Sequence, residues 1–104
     1  MTRRIVLVRY RTKPDHATEN ERFITKVFDA LAHERPSGLR YGSFTSGDGL
    51  SFVHLAMTDT PDGSNPLTQF EAFKAFAAGV KDRCDEAPVV TELREVGSYR
   101  LFGE

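Results

Sequence analysis

Eight consecutive residues near the middle of the chain, Leu50-Ser51-Phe52-Val53-His54-Leu55-Ala56-Met57, limit the architectures open to it. They follow a Gly-Asp-Gly turn and read as a strand with apolar side chains on both alternating faces and one histidine among them. A strand with one solvated face alternates apolar and polar residues. This one barely does, so both faces of its sheet must be covered. Ile5-Val6-Leu7-Val8 has the same character and reads as the centre of a first strand over residues 4–11.

The remaining elements follow from spacing. Lys13-Pro14-Asp15 ends the first strand, with Asp15 as N-cap of a long helix reaching residue 34 and Glu19 and Glu21 near its start. Ile24, Val27, Phe28 and Leu31 recur on one face of that helix. Arg35-Pro36-Ser37-Gly38 stops it. Residues 39–45 read as a second strand, with Leu39 and Tyr41 on one face and Phe44 on the other. Ser46-Gly47-Asp48-Gly49 is a hairpin signal, because Asp-Gly accepts the positive φ such turns demand. Residues 58–64 form a polar loop, and Asn65-Pro66 reads as a cap plus first helical residue. A second helix carries Leu67, Phe70, Phe73, Phe76, Ala77 and Val80 along one side, a stripe suited to packing on a sheet. Residues 85–88 close that region, and residues 89–102 read as a long last strand, with Gly97 as a bulge or bend.

Strand, helix, strand, strand, helix, strand, with right-handed crossovers, is the α+β ferredoxin-like βαββαβ arrangement. It is a four-stranded antiparallel sheet with two helices on one face and the first and third strands central. The first and third are also the most apolar strands, whereas Arg40, Glu92 and Arg94 mark the second and fourth. Two helices cover one face only. The other face, apolar too, would be an unusually large exposed patch, so the sequence predicts an obligate homodimer packed sheet to sheet. Residues 1–104 are expected to be one domain.

Charge narrows the partners. The 14 basic and 15 acidic residues leave a net charge of -1, which gives no bulk attraction for nucleic acid or an anionic membrane. Gly49-Leu50-Ser51-Phe52-Val53 is similar to the third-strand signature of an RNA-binding module. However, Leu50 and Leu55 stand where stacking aromatics belong, and Asp48 where a basic residue belongs. The single cysteine, Cys84, excludes an intramolecular disulfide and reads as an inert helix-end residue. The apolar run at the start is broken by Arg9 and Arg11, too short for a signal-peptide core, so a cytoplasmic location is expected.

At this point the chain resembles the antibiotic biosynthesis monooxygenase family, small dimeric α+β barrels. The resemblance runs through Thr12-Lys13-Pro14-Asp15 leading into the long helix, Arg35-Pro36-Ser37-Gly38-Leu39-Arg40-Tyr41, and Phe70-Glu71-Ala72-Phe73-Lys74-Ala75-Phe76. It implies a dimer with a pocket between each sheet and its helices. Two family features are missing: the sequence has no tryptophan, and its second helix has no histidine.

His54 is the foremost candidate for chemistry. The reading favoured by its apolar surroundings is a buried neutral histidine bonded to backbone or to a tyrosine. The alternative is a base in an oxygenase that needs no cofactor, ionising a phenolic or keto substrate whose carbanion then meets dioxygen. Arg9 and Tyr10 point to opposite faces, so at most one shares a cavity with His54. Arg9 would hold an oxyanion or else pair with Glu92 or Glu95; Tyr10 would donate a hydrogen bond or pack at an interface. Tyr41 and Asn65 are candidate polar groups for a ligand, and Asn65 is also explained as a cap. His16 and His33 belong to the solvent side of the first helix. No metal is expected: Asp59, Asp62 and Asn65 lack calcium-loop spacing, and no histidine pair has zinc spacing. Two functional classes therefore stand. One is a small cofactor-independent monooxygenase of an aromatic or polyketide-like compound; the other is a non-catalytic dimeric module that binds a small hydrophobic ligand or serves assembly.

Overall fold

The structure is a computed structural model and describes residues 2–101. Strand β1 (Thr2–Thr12) leads through a 3-10 turn (Pro14–His16) into helix α1 (Ala17–Glu34). Strands β2 (Leu39–Thr45) and β3 (Ser51–Thr60) form a hairpin. A second 3-10 turn (Pro66–Gln69), helix α2 (Glu71–Arg83) and strand β4 (Cys84–Leu93) complete the chain. The sheet order is β2-β3-β1-β4, antiparallel throughout, so the two most apolar strands are indeed central. This is the ferredoxin-like α+β fold expected from the element order.

Register sorts the side chains. Val8 lies opposite His54 and Tyr10 opposite Phe52, and these residues face the helices. Tyr10, Phe52, Val27 of α1, Leu67, and Phe76 and Val80 of α2 form one buried cluster. The outward face carries Ile5, Leu7 and Arg9 against Met57, Leu55 and Val53, with Leu93, Thr91 and Val89 alongside on β4. Ile5 and Met57 are buried there, but Phe44, Val89 and Leu93 are exposed.

Several boundaries differ from the sequence expectation. Pro14 opens a 3-10 turn before α1, so Asp15 lies inside that turn and bonds His16 Nδ1 at 2.9 Å rather than capping the helix. At the other end Arg35 itself takes the left-handed conformation (φ 49°), and its N–H closes on Leu31 O. Gly38, at φ 76°, is needed for a different reason: a Cβ there would lie 2.8 Å from Asp59 O on β3. The β2–β3 hairpin is as expected, with Gly49 at φ 75° and its N–H on Ser46 O at 2.9 Å. Strand β3 runs on to Thr60, into the stretch read as loop.

Asn65 does cap, accepting from Leu67 N at 3.0 Å, but it caps only the short turn. Thr68 Oγ1 bonds back to Asn65 O at 2.8 Å, closing the turn on itself, and extended Phe70 separates it from α2. The last strand is the largest correction. It begins directly after α2 and ends at Leu93, so the polar residues 85–88 are strand and residues 94–101 are not. Pro88 is tolerated because β4 is an edge strand whose pairing with β1 is irregular near Arg11. Gly97 falls in the non-strand segment, and Phe102 lies outside the described residues. That segment returns over the outward face: Glu95 pairs with Arg3 at 3.1 Å, and Leu101 shares a hollow with Phe44 and Leu55.

Candidate functional site

His54 stands at the centre of β3 on the helix side and is only 4% exposed. Both ring nitrogens are engaged. Nε2 lies 2.7 Å from Tyr10 Oη; Nδ1 lies 2.8 Å from Tyr41 Oη and 2.7 Å from Ser43 Oγ. The sheet supplies all four side chains, since β1, β2 and β3 are adjacent and their helix-facing residues meet in register. Aromatic rings hold the imidazole flat: Tyr10 stacks on it with centroids 5.3 Å apart, and Phe76 of α2 tilts against it at 5.2 Å. Phe28 of α1 stacks on Tyr41 at 5.2 Å and fixes that ring in turn.

The chain of bonds extends into the helices. Asn20 of α1 donates from Nδ2 to Tyr10 Oη at 2.8 Å, and its Oδ1 accepts from Arg83 Nε of α2 at 3.0 Å. Arg83 also donates to Phe76 O at 3.0 Å, and its guanidinium lies 4.4 Å from the Phe23 ring centroid. Asn20 and Arg83 are both buried.

Burial dominates the electrostatics. It pulls the His54 pKa down to about 4, so the ring is neutral at physiological pH. Burial likewise raises Tyr10, against the opposing pull of the Asn20 bond and the Arg83 charge. Tyr41 is raised for the same reason, with Ser43 opposing. All three groups therefore rest in their uncharged forms, as an apolar enclosure requires.

Beside this chain lies a cavity of about 340 Å³ between sheet and α2. Its polar lining is Tyr10, Tyr41, His54 and Asn65, with Arg4 also among the lining residues; Val6, Val8, Ala56, Leu67, Phe73 and Phe76 supply apolar walls. Arg4 is largely exposed and pairs with Glu92 at 2.6 Å. The α2 phenylalanine stripe does not fill the space, since Phe73 and Phe76 line it. A planar molecule of modest size with one or two polar groups fits such a lining.

Four of the residues singled out in the sequence therefore meet: His54, Tyr10, Tyr41 and Asn65. Arg9 does not join them. It points to the outward face opposite Val53 and Val89, and the glutamates proposed for it are held instead by Arg4 and Arg3. Ser43, Asn20 and Arg83 escaped the sequence reading. Asn20 precedes Phe23, Ile24, Val27 and Leu31 at helical spacing, and Arg83 follows Phe76 and Val80 in the same way. A polar residue on an apolar stripe was the available signal. Among the described residues no group of three or more His, Cys, Asp or Glu side chains is arranged to hold a metal.

No family model and no curated protein matches the chain. Solved structures do. A protein of Caulobacter crescentus named a "putative antibiotic biosynthesis monooxygenase" superposes with a TM-score of 0.71 at 21% identity, over 91% of each chain. Rv0793 of Mycobacterium tuberculosis gives 0.74 at 17% identity, over 93% of this chain and 98% of its own. A protein of Nitrosomonas europaea with the same monooxygenase name gives 0.72 at 15% identity, over 90% of each chain. The chain has their fold. The likeness to structures carrying the antibiotic biosynthesis monooxygenase name spans nearly the whole chain. No helix among the described residues is long and apolar enough to cross a membrane.

Proposed function

We propose that this chain binds a small aromatic or polyketide-like compound in the helix-side cavity and oxygenates it without a cofactor. One observation carries the reading: a mostly apolar cavity is lined by a tyrosine–histidine pair, Tyr10 Oη and His54 Nε2, 2.7 Å apart. The monooxygenase name borne by proteins of the same fold supports it.

Tyr10 is the group that reaches the ligand. An activated CH₂ beside a carbonyl or phenol gives its proton to Tyr10 Oη while Tyr10 passes its own to His54 Nε2. The resulting carbanion hands an electron to dioxygen, and the two radicals join in a C–O bond. The peroxide takes back the proton. The carbon then gives up its second proton as the O–O bond breaks, the departing hydroxide leaves with that proton as water, and a carbonyl remains. One oxygen atom enters the product and the other leaves as water. The carbon loses four electrons and dioxygen gains four, so no outside reductant is needed. Asn65 and Tyr41 orient the substrate's oxygen substituents.

The outward face belongs to the same reading, as the surface where two copies pack. Phe44, Leu93 and Val89 on the sheet and Val96, Tyr99 and Leu101 beyond it are exposed apolar side chains, more than a lone subunit of this size should show to water. A light-scattering mass of one chain at micromolar concentration would refute the dimer.

Oxygen uptake on a panel of anthrones, hydroquinones and catechols tests the chemistry. Wild type consumes one dioxygen per anthrone, the member of the panel with an activated CH₂; Tyr10→Phe and His54→Ala lose at least about a hundredfold in rate. No uptake, or equal uptake in all three, removes the catalytic assignment. The second reading, binding without catalysis, draws on the engagement of both His54 nitrogens by protein groups. It predicts tight binding of the same compounds with no oxygen consumed.

A further inference from the structure

Arg83 is a buried cation that pairs with no carboxylate among the described residues; its bonds go to the Asn20 side chain and to Phe76 O. Guanidinium nitrogens only donate. The atom of Asn20 that faces Arg83 must therefore be the carbonyl oxygen, and this settles which way the amide lies. Its NH₂ then faces Tyr10 Oη, 2.8 Å away, and Tyr10 receives that bond. The phenolic proton of Tyr10 is left with one acceptor within reach, His54 Nε2. An imidazole nitrogen that accepts carries no proton, so the ring's single proton sits on Nδ1, facing the oxygens of Ser43 and Tyr41. Each bond fixes the next, from a charge on α2 to a ring on β3.

We propose that Arg83 and Asn20 are positioning residues: they set the direction of the hydrogen-bond chain, so that Tyr10 donates to His54 and the imidazole is held as the Nδ1–H tautomer. The consequence for turnover rests on the function proposed above, whereas the tautomer stands without it. With Nδ1 protonated, the free lone pair of His54 is the one behind Tyr10. Any proton leaving a bound molecule must then pass through the Tyr10 hydroxyl. In the opposite tautomer the Nε2–H would donate to Tyr10, and that route would be shut.

The test is long-range ¹H–¹⁵N correlation of the histidine rings in ¹⁵N-labelled protein at neutral pH. Wild type shows His54 with the proton on Nδ1. In Asn20→Asp the new carboxylate accepts from both Arg83 and Tyr10, the Tyr10 oxygen turns to accept from His54, and the tautomer inverts to Nε2–H. Arg83→Leu, which frees the amide to rotate, gives a mixture. An Nε2–H wild type overturns the proposal, as does a folded Asn20→Asp protein with the wild-type tautomer. If that variant fails to fold, the wild-type spectrum alone decides. Where the oxygen assay finds a substrate, Asn20→Asp lowers kcat by at least about tenfold and leaves KM within about twofold, because the cavity lining is untouched. Absence of uptake in wild type removes the catalytic reading and leaves the tautomer result standing.

Discussion

On the helix side of the sheet, polar groups are buried and each has a partner within the chain. His54, Tyr10, Tyr41, Asn20 and Arg83 are linked end to end, and no buried side-chain nitrogen or oxygen among the described residues lacks a hydrogen bond. On the outward side the situation is reversed. Apolar side chains such as Phe44, Val89 and Leu93 face water, and the segment after β4 adds Val96, Tyr99 and Leu101. Polar groups on the helix side are paired within a single copy, whereas the exposed apolar side chains of the outward face are what the proposed association would cover. On that proposal a site built on the first face stays rigid while the second carries assembly, and the two should fail separately when perturbed.

The largest effect is expected from a charge on the outward face. Leu55→Asp places a carboxylate among Leu7, Gly42 and Leu101, where a second copy would have to desolvate it. The expected outcome is a light-scattering mass of one chain at a concentration where wild type shows two. The near-ultraviolet circular dichroism of the stacked tyrosines on the other face should be unchanged. A mass that stays double would place the interface elsewhere, and a lost tyrosine signal would show that the two faces are coupled.

The sequence shows the two faces unequally well. The central strands are legible because Ile5 to Val8 and Phe52 to Leu55 are apolar on both sides, which only a covered sheet tolerates. Strand β4 is harder to recognise: an edge strand keeps polar and proline residues, so residues 85–88 carry a loop's composition while pairing with β1. His54 stands out as a lone polar group in an apolar strand, and parity alone allows either Arg9 or Tyr10 beside it. Only the register of β1 on β3, Val8 opposite His54, selects Tyr10. Asn20 and Arg83 are 63 residues apart, and nothing local joins them. Their pairing exists only once α1 and α2 lie side by side.

Acid should act next most strongly, and on the helix side. In the unfolded chain His54 takes a proton at its ordinary pKa of 6.5, but in the folded protein burial delays this to about 4. Between those values the unfolded state holds more protons, so stability is full above pH 6.5 and falls as the pH drops toward 4. The gap corresponds to roughly 3 kcal/mol. Asp48, with its pKa lowered to about 2 chiefly by the Ser46 hydrogen bond, acts only at lower pH. Urea unfolding at neutral and mildly acid pH should show this loss in wild type and lack it in His54→Gln. An equal loss in both would assign it to other groups.

The smallest effect is that of Tyr41, and set against Tyr10 it tests how completely the helix side is satisfied. Tyr10→Phe strips the acceptor from Asn20 Nδ2 and the donor from His54 Nε2, leaving two buried groups unpaired. The expected cost is about 1–3 kcal/mol for each. Tyr41→Phe removes a hydroxyl that shares its ring nitrogen with Ser43, whose Oγ remains 2.7 Å away. The ring stays paired, and the cost should be below about 1 kcal/mol. Urea midpoints for the two variants give the ratio. If the two cost the same, Ser43 does not take over at Nδ1. The helix side would then depend on single bonds throughout, with no reserve at the one nitrogen where two oxygens converge.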